Sequence, residues 1–137
     1  MKLLNEPVST EDLIDALQRE ALGAMERAMA PYSGFQVGAA VYTEDGKIYT
    51  GCNIENPSLT LVVCAERVAL FNALSDGATG IKAIMVVSGS GDYCYPCGIC
   101  RQFINEFAPD SALYIAGRKG IKKYTVSELL PHPFVRK

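Results

Sequence analysis

Apolar residues recur at three- and four-residue steps between Ser9 and Ala30, at Leu13, Ile14, Leu17, Ala21, Met25 and Ala28. That spacing keeps them on one helix face. Ser9 or Thr10 supplies a cap and Pro31 forbids continuation, which predicts a helix across the segment. The period then changes. Gln36–Thr43 and Lys47–Ile54 are rich in strand-forming residues, and Glu44-Asp45-Gly46 joins them. Asp-Gly between two such runs predicts a β-hairpin. Helical spacing returns from Cys64 to Leu74 and stops at Asp76-Gly77, and Ile81–Ser88 is an apolar run of buried-strand length. Cys97–Phe107 reads as another helix, Ala112–Ala116 as a strand and Thr125–Leu130 as a short closing helix.

The predicted order is α-β-β-α-β-α-β-α. Strands separated by helices need crossover connections, which give parallel neighbours of right-handed connectivity. The expected fold class is α/β, a three-layer α/β/α domain whose mixed, mostly parallel sheet follows an N-terminal helix and a β-hairpin. At 137 residues, without an internal repeat or a linker, the chain 1–137 is expected to form a single domain.

Composition narrows the function classes. With 49% apolar and 20% charged residues, intrinsic disorder, a collagen repeat and a coiled coil are excluded. Thirteen basic against fifteen acidic residues leave a net charge of −2 with no basic block, so a nucleic-acid partner is not expected. The start, Met-Lys-Leu-Leu-Asn-Glu-Pro, has no apolar core of signal-peptide length, and no apolar run approaches the roughly 20 residues of a membrane span. The expected location is cytoplasmic, with no membrane partner.

Cysteine carries the first chemical signal. The five are Cys52, Cys64, Cys94, Cys97 and Cys100, an odd number without a secretory leader, which argues against a disulfide framework. Val63-Cys64-Ala65-Glu66-Arg67 and Tyr95-Pro96-Cys97-Gly98-Ile99-Cys100-Arg101 each open a predicted helix after a strand and a loop. Both groups should therefore emerge at one sheet edge, where small-molecule ligands collect and helix dipoles favour thiolates. Cys97 and Cys100 are spaced to reach one metal ion from a single helical turn, and Cys64 would be the third ligand. Three protein ligands with one open position describe a catalytic zinc site, which lowers the pKa of water to about 7. Glu66, in the first helical turn, can lean toward such a site as a carboxylate that does not bind the metal. Other readings stay open: a thioredoxin-like redox pair, a structural zinc closed by Cys52 or Cys94, and Glu66 as a solvated helix-start carboxylate.

The pair Cys64-Ala65-Glu66 and Pro96-Cys97-Gly98-Ile99-Cys100 resembles the zinc deaminase signature. Four further blocks extend the likeness: 31–40 (PYSGFQVGAA), Asn53-Ile54-Glu55-Asn56, Arg101-Gln102 and Glu128-Leu129-Leu130-Pro131. Together they resemble the small, homotetrameric, zinc-dependent cytidine deaminases, in that family's order and over most of the chain. The resemblance implies Zn²⁺ as cofactor, a homotetramer, and a reaction of pyrimidine salvage that replaces the 4-amino group of a cytidine or 2′-deoxycytidine ring with oxygen, releasing ammonia. A related aminopyrimidine nucleoside, such as a blasticidin-S-like compound, is the alternative substrate. A structural-zinc or redox module is the non-enzymatic alternative.

The resemblance also implies roles. Glu66 would shuttle the protons, and Arg67 would hydrogen-bond the thiolates. Three thiolates leave a Zn²⁺ site at −1, so a cation beside them also follows from charge balance; Arg101 is a second candidate. Asn53 and Glu55 alternate and would share one strand face. An amide and a carboxylate there can hold a sugar hydroxyl, as the family does with its Asn-x-Glu. Phe35 is expected against the pyrimidine, the Ala65 N–H at the ring carbonyl, and Phe134 at a neighbouring subunit's site. Pro57 and Leu59 depart from the family pattern near the expected entrance, Ile99 replaces a small residue between the zinc cysteines, and His132 reads as a tail residue.

Overall fold

The computed structural model describes residues 1–4 and 8–137. Its sheet takes six strands: β1 (Lys2–Leu3), β2 (Val37–Thr43), β3 (Lys47–Cys52), β4 (Ile81–Ser88), β5 (Ala112–Gly117) and β6 (Gly120–Thr125). The helices are α1 (Thr10–Met25), α2 (Ala65–Ser75), α3 (Gly98–Phe107) and α4 (Val126–Leu129), with a 3₁₀ turn at Leu59–Leu61. Strand order is β1-β3-β2-β4-β5-β6.

Alternation along the central strands explains the layers. Ala39, Val41, Ile84, Val86, Leu113 and Ile115 face one core, shared with Ala65, Ala69 and Leu70 of α2, Ile104 of α3 and Val126 of α4. Ala40, Tyr42, Ala83, Met85, Val87 and Tyr114 face the other, against Ala16, Leu17 and Ala21 of α1. Strands that are apolar on both faces need cover on both, and the three-layer arrangement supplies it. Among the described residues, no helix is long and apolar enough to cross a membrane.

The sheet is mixed as expected, but it is not mostly parallel. β4 and β5 form its one parallel pair among the described strands, while β1–β3, β3–β2, β2–β4 and β5–β6 are antiparallel. The crossover through α2 does make β4 run in the direction of β3, but β2 lies between them and pairs antiparallel with both. Helix-linked β3 and β4 therefore share a direction without being neighbours, whereas β4 and β5, linked through α3, are both parallel and adjacent.

Boundaries shift where long-range contacts win. α1 ends at Met25 and not at Ala30, because the backbone of Met29 bridges to the other segment: its N–H donates to Asn53 O at 2.9 Å and its carbonyl accepts from Glu55 N–H at 2.8 Å. β3 ends at Cys52 and not at Ile54: Asn53 N–H still donates to Val37 O at 3.3 Å and its side chain adds bonds to Val37 N–H and Phe35 O, but Ile54 turns away to pair with Val63. β1 and β6 were absent from the sequence pattern. β6 carries Lys122 and Lys123 on an exposed edge, where charge replaces the apolar signal, and it returns through a two-residue turn in which Gly117 faces Gly120.

Two close approaches fix the helices against the sheet. A Cβ at Gly38 would lie 2.0 Å from Ala21 O, so α1 rests directly on β2. A Cβ at Gly51 would lie 2.3 Å from Ala69 N and 2.8 Å from Ala65 O, so the first turns of α2 rest on β3. The start of α2 is thereby set beside the sheet edge where Val37, Cys52 and Ser88 end in register.

Candidate active site

Cys64 and Cys97 are the N-cap residues of α2 and α3. Both have extended backbone, and neither side chain makes a capping hydrogen bond, so both sulfurs are free to project past the helix ends. Cys100 sits one turn into α3 and is fully buried. Cys64 Sγ lies 3.8 Å from Cys97 Sγ, and Cys97 Sγ lies 3.5 Å from Cys100 Sγ. Among the described residues these three form a potential metal-binding group with all sulfurs within 4.8 Å, and neither Cys52 nor Cys94 belongs to it. A Zn–S bond of about 2.3 Å puts the sulfurs of a tetrahedral site about 3.8 Å apart, so the spacing fits Zn²⁺. With no fourth sulfur, the group lacks the donor set of a structural zinc.

Arg67 lies beside the triad from α2. Its Nη2 is 3.7 Å from Cys64 Sγ and donates to Val62 O at 3.2 Å, while its Nε is buried without a hydrogen-bond partner. Hydrogen bonding from the Cys100 thiol, followed by Arg67, holds Cys64 down at about 5 against the opposing effect of burial. Cys100 is pushed up, because its proton serves Cys64 and because it is buried. Glu66 is 3% exposed. Burial raises its carboxyl to about 7, with the Cys64 charge adding to the rise.

A cavity of about 340 Å³ opens at this edge, and Phe35, Asn53, Glu55, Cys64, Ala65, Glu66 and Cys97 all line it. Cys100 and Arg67 stand outside the lining. Ser33, Val37, Val62, Cys94 and Tyr95 complete the wall; of these the sequence marks only Cys94, as a possible fourth zinc ligand, and it stands outside the thiol cluster. No lysine or arginine is among the lining residues.

Another part of the wall is a hydrogen-bonded frame built from Ser33, Phe35, Asn53 and Glu55. Glu55 Oε1 accepts from the N–H groups of Tyr32 (3.0 Å) and Ser33 (3.1 Å), and Oε2 accepts from the Ser33 hydroxyl. Those bonds hold the Glu55 carboxyl below its ordinary range, the Ser33 hydroxyl being the largest cause. The same hydroxyl oxygen accepts the Phe35 N–H at 2.9 Å, so one side chain ties Glu55 to Phe35. Asn53 is buried; its Oδ1 accepts from Val37 N–H at 2.9 Å and its Nδ2 donates to Phe35 O at 2.8 Å. A carboxylate offers about four acceptor sites and an amide nitrogen two donors. One acceptor site on Glu55 and one N–H on Asn53 therefore stay uncommitted within this frame.

The remaining candidates lie apart. Arg101 does not reach the sulfurs; its Nε donates to Pro96 O at 2.7 Å and its Nη1 to Leu129 O at 2.8 Å, which ties the Cys97 loop to the end of α4. Pro57 and Leu59 are outside the cavity lining, Leu59 being exposed on the 3₁₀ turn. His132 and Phe134 are exposed in the tail.

A family model described as "Cytidine and deoxycytidylate deaminase zinc-binding region" matches residues 12–116. The chain is 47% identical over 123 residues to a cytidine deaminase of Sporosarcina psychrophila, covering 88% of this chain and 90% of that one. A solved cytidine deaminase structure from Burkholderia pseudomallei superposes with a TM-score of 0.83 at 42% identity, covering 88% of this chain and 98% of that one. A blasticidin-S deaminase of Bacillus cereus is more distant, 33% identical over 108 residues that cover 73% of this chain and 77% of that one.

Proposed function

Because the chain belongs to the cytidine and deoxycytidylate deaminase family, we propose that it is a zinc-dependent hydrolase that converts cytidine and 2′-deoxycytidine to the uridine counterparts with release of ammonia. The observation that carries this reading is one cavity lined by two of three clustered thiols, a buried carboxyl and an amide–carboxylate pair. Cys64, Cys97 and Cys100 would hold Zn²⁺. The bound ion supplies acidification of water near neutral pH.

The rest is the work of side chains. Glu66 takes a proton from the attacking water and passes it to ring N3, then takes the remaining proton of the hydroxyl added at C4 and delivers it to the departing amino group as the C–N bond breaks. The Ala65 N–H meets the ring carbonyl, and Phe35 packs on the ring. One uncommitted acceptor on Glu55 and one donor on Asn53 match a single hydroxyl, which gives one hydrogen bond and takes one. A 3′-hydroxyl satisfies them in both ribose and deoxyribose. A cavity wall without lysine or arginine, and with Glu55 at its sugar end, favours nucleosides over their 5′-phosphates.

Binding energy from a remote hydroxyl aligns the ring, so its loss should lower turnover as well as affinity. Cytidine and 2′-deoxycytidine should react comparably, with 3′-deoxycytidine, free cytosine and cytidine 5′-monophosphate far slower. Glu55→Ala should shrink the gap in kcat/KM between cytidine and 3′-deoxycytidine. An unchanged gap, or cytosine matching cytidine, would show that Asn53 and Glu55 do not read the sugar. Preference for blasticidin S in the same panel would favour the other aminopyrimidine reading.

Arg67 supplies the positive charge beside the thiolates. Arg67→Gln makes the site more negative, the water there less acidic, and the rising limb of the pH–rate profile moves to higher pH. Zinc should also be lost faster to a chelator. An unmoved profile with parental zinc retention would reduce Arg67 to a packing role.

A cytoplasmic, homotetrameric enzyme of pyrimidine salvage acting as a single domain over 1–137 completes the reading. Exposed Ile54, Leu59 and Leu61, chain neighbours of the cavity wall, together with Phe134 and Val135 in the tail, are the apolar surface that subunit contacts would cover.

A further inference from the structure

Tyr95 lines the cavity between Cys94 and Cys97, yet no step above uses it. Its backbone is confined from one side, since a residue before proline is held to extended conformations. The following carbonyl, Pro96 O, is gripped by Arg101 Nε at 2.7 Å. Its side chain is held from the other side. The Tyr95 and Tyr124 hydroxyls lie 2.7 Å apart, and the two rings meet edge to face at 5.7 Å and 66°. Tyr124 belongs to the edge strand β6, packs against the core shared with α2 and α3, and is not part of the cavity wall.

We propose that Tyr95 is a substrate-contacting wall residue that packs on the base, and that Tyr124 is a positioning residue that holds its ring in place from β6. The proposal rests on the nucleoside reading and deepens it. Tyr95 enters the cavity two residues from Cys97, at the sulfur end, whereas the Asn53–Glu55 frame marks the sugar end. Its hydroxyl is tied to that of Tyr124, so what it offers the ligand is its aromatic face. Aromatic faces pack favourably on nucleobases whatever their hydrogen-bonding edge. A ring already held in position need not be ordered on binding, which strengthens affinity. Such a contact is the same in ground state and transition state, so its loss should raise KM and leave kcat alone.

The test is the set Tyr95→Phe, Tyr124→Phe and the double variant, each measured for zinc content, kcat and KM with cytidine. Each single change removes the same hydrogen bond while keeping both rings. KM should rise three- to tenfold in each, kcat should stay within twofold, zinc should match the parent, and the double variant should be no worse than either single one. Parental KM in Tyr124→Phe would overturn the proposal. So would effects that multiply in the double variant, because the two hydroxyls would then act independently. A joint fall in zinc and kcat would overturn it too, by making the pair a structural prop. The parent separates the two levels: failure of the parent to turn over cytidine sinks the nucleoside reading, whereas an active parent with an indifferent Tyr124→Phe sinks this inference alone.

Discussion

Cys64→Ser should fold as well as the parent, hold little zinc and show no turnover of cytidine above background. Among the described residues no fourth donor joins the three thiols, so a lost ligand has no substitute. The fold, by contrast, loses nothing. Cys64 is an N-cap residue that makes no capping bond, and serine is among the best N-cap residues, worth about 1 kcal/mol over alanine. Thermal stability measured with chelator present should therefore be equal or higher in the variant, which separates loss of metal from loss of structure. Cys97→Ser, at the equivalent position of α3, should behave alike. Thiol counting gives an independent reading. With zinc bound, the parent should show two reactive thiols, Cys52 and Cys94, whereas a zinc closed by four cysteines would leave one. Full zinc and full activity in Cys64→Ser would overturn the ligand assignment.

The sequence made the metal end legible because its signals are local. Cap position, three-residue spacing and the preceding loops together predicted that Cys64 and Cys97 would meet at one edge. The sheet was harder to read. Local periodicity identifies strands but not their neighbours, and the insertion of β2 between β3 and β4 turned an expected mixed, mostly parallel sheet into a mixed, mainly antiparallel one. β6 was missed because Lys122 and Lys123 protect an edge by removing the pattern that announces a strand. The overrun of α1 has a similar cause. Residues 26–30 keep helical composition, but Met29 gains backbone partners in Asn53 and Glu55 that only the folded chain provides.

The Asn53–Glu55 frame was legible in residue type and not in architecture. Asn53 and Glu55 do meet one cavity, but not as a plain strand face, since β3 has already ended. Asn53 adds side-chain bonds to its backbone pairing with Val37, and Ser33 joins Glu55 to Phe35. A signal for Ser33 was present in Tyr32-Ser33-Gly34-Phe35, because a serine two residues before another N–H often caps it. Tyr95 also carried a signal: an aromatic directly before Pro96-Cys97 stands at the mouth of the metal loop. Its partner Tyr124 carried none, as the two are 29 positions apart and meet only through the sheet.

Glu66→Gln should keep its zinc and its affinity for cytidine while turnover falls by ~10²–10⁴, the range expected when a general acid–base is lost. The substitution preserves shape and hydrogen-bonding reach, so any change reports on the proton. Glu66 lies in the cavity wall in the first turn of α2, two residues after Cys64, and is almost wholly buried. Burying a carboxylate beside a thiolate is unfavourable, which is why burial first, and the Cys64 charge second, raise its carboxyl to about 7. Glutamine is relieved of that cost and should not destabilise the fold. A structural role for Glu66 therefore predicts a variant at least as stable as the parent and equally active. A proton-shuttle role predicts the same stability with activity gone. Zinc content, thermal stability and kcat on one preparation distinguish them, and a variant within about tenfold of parental kcat would remove Glu66 from the mechanism.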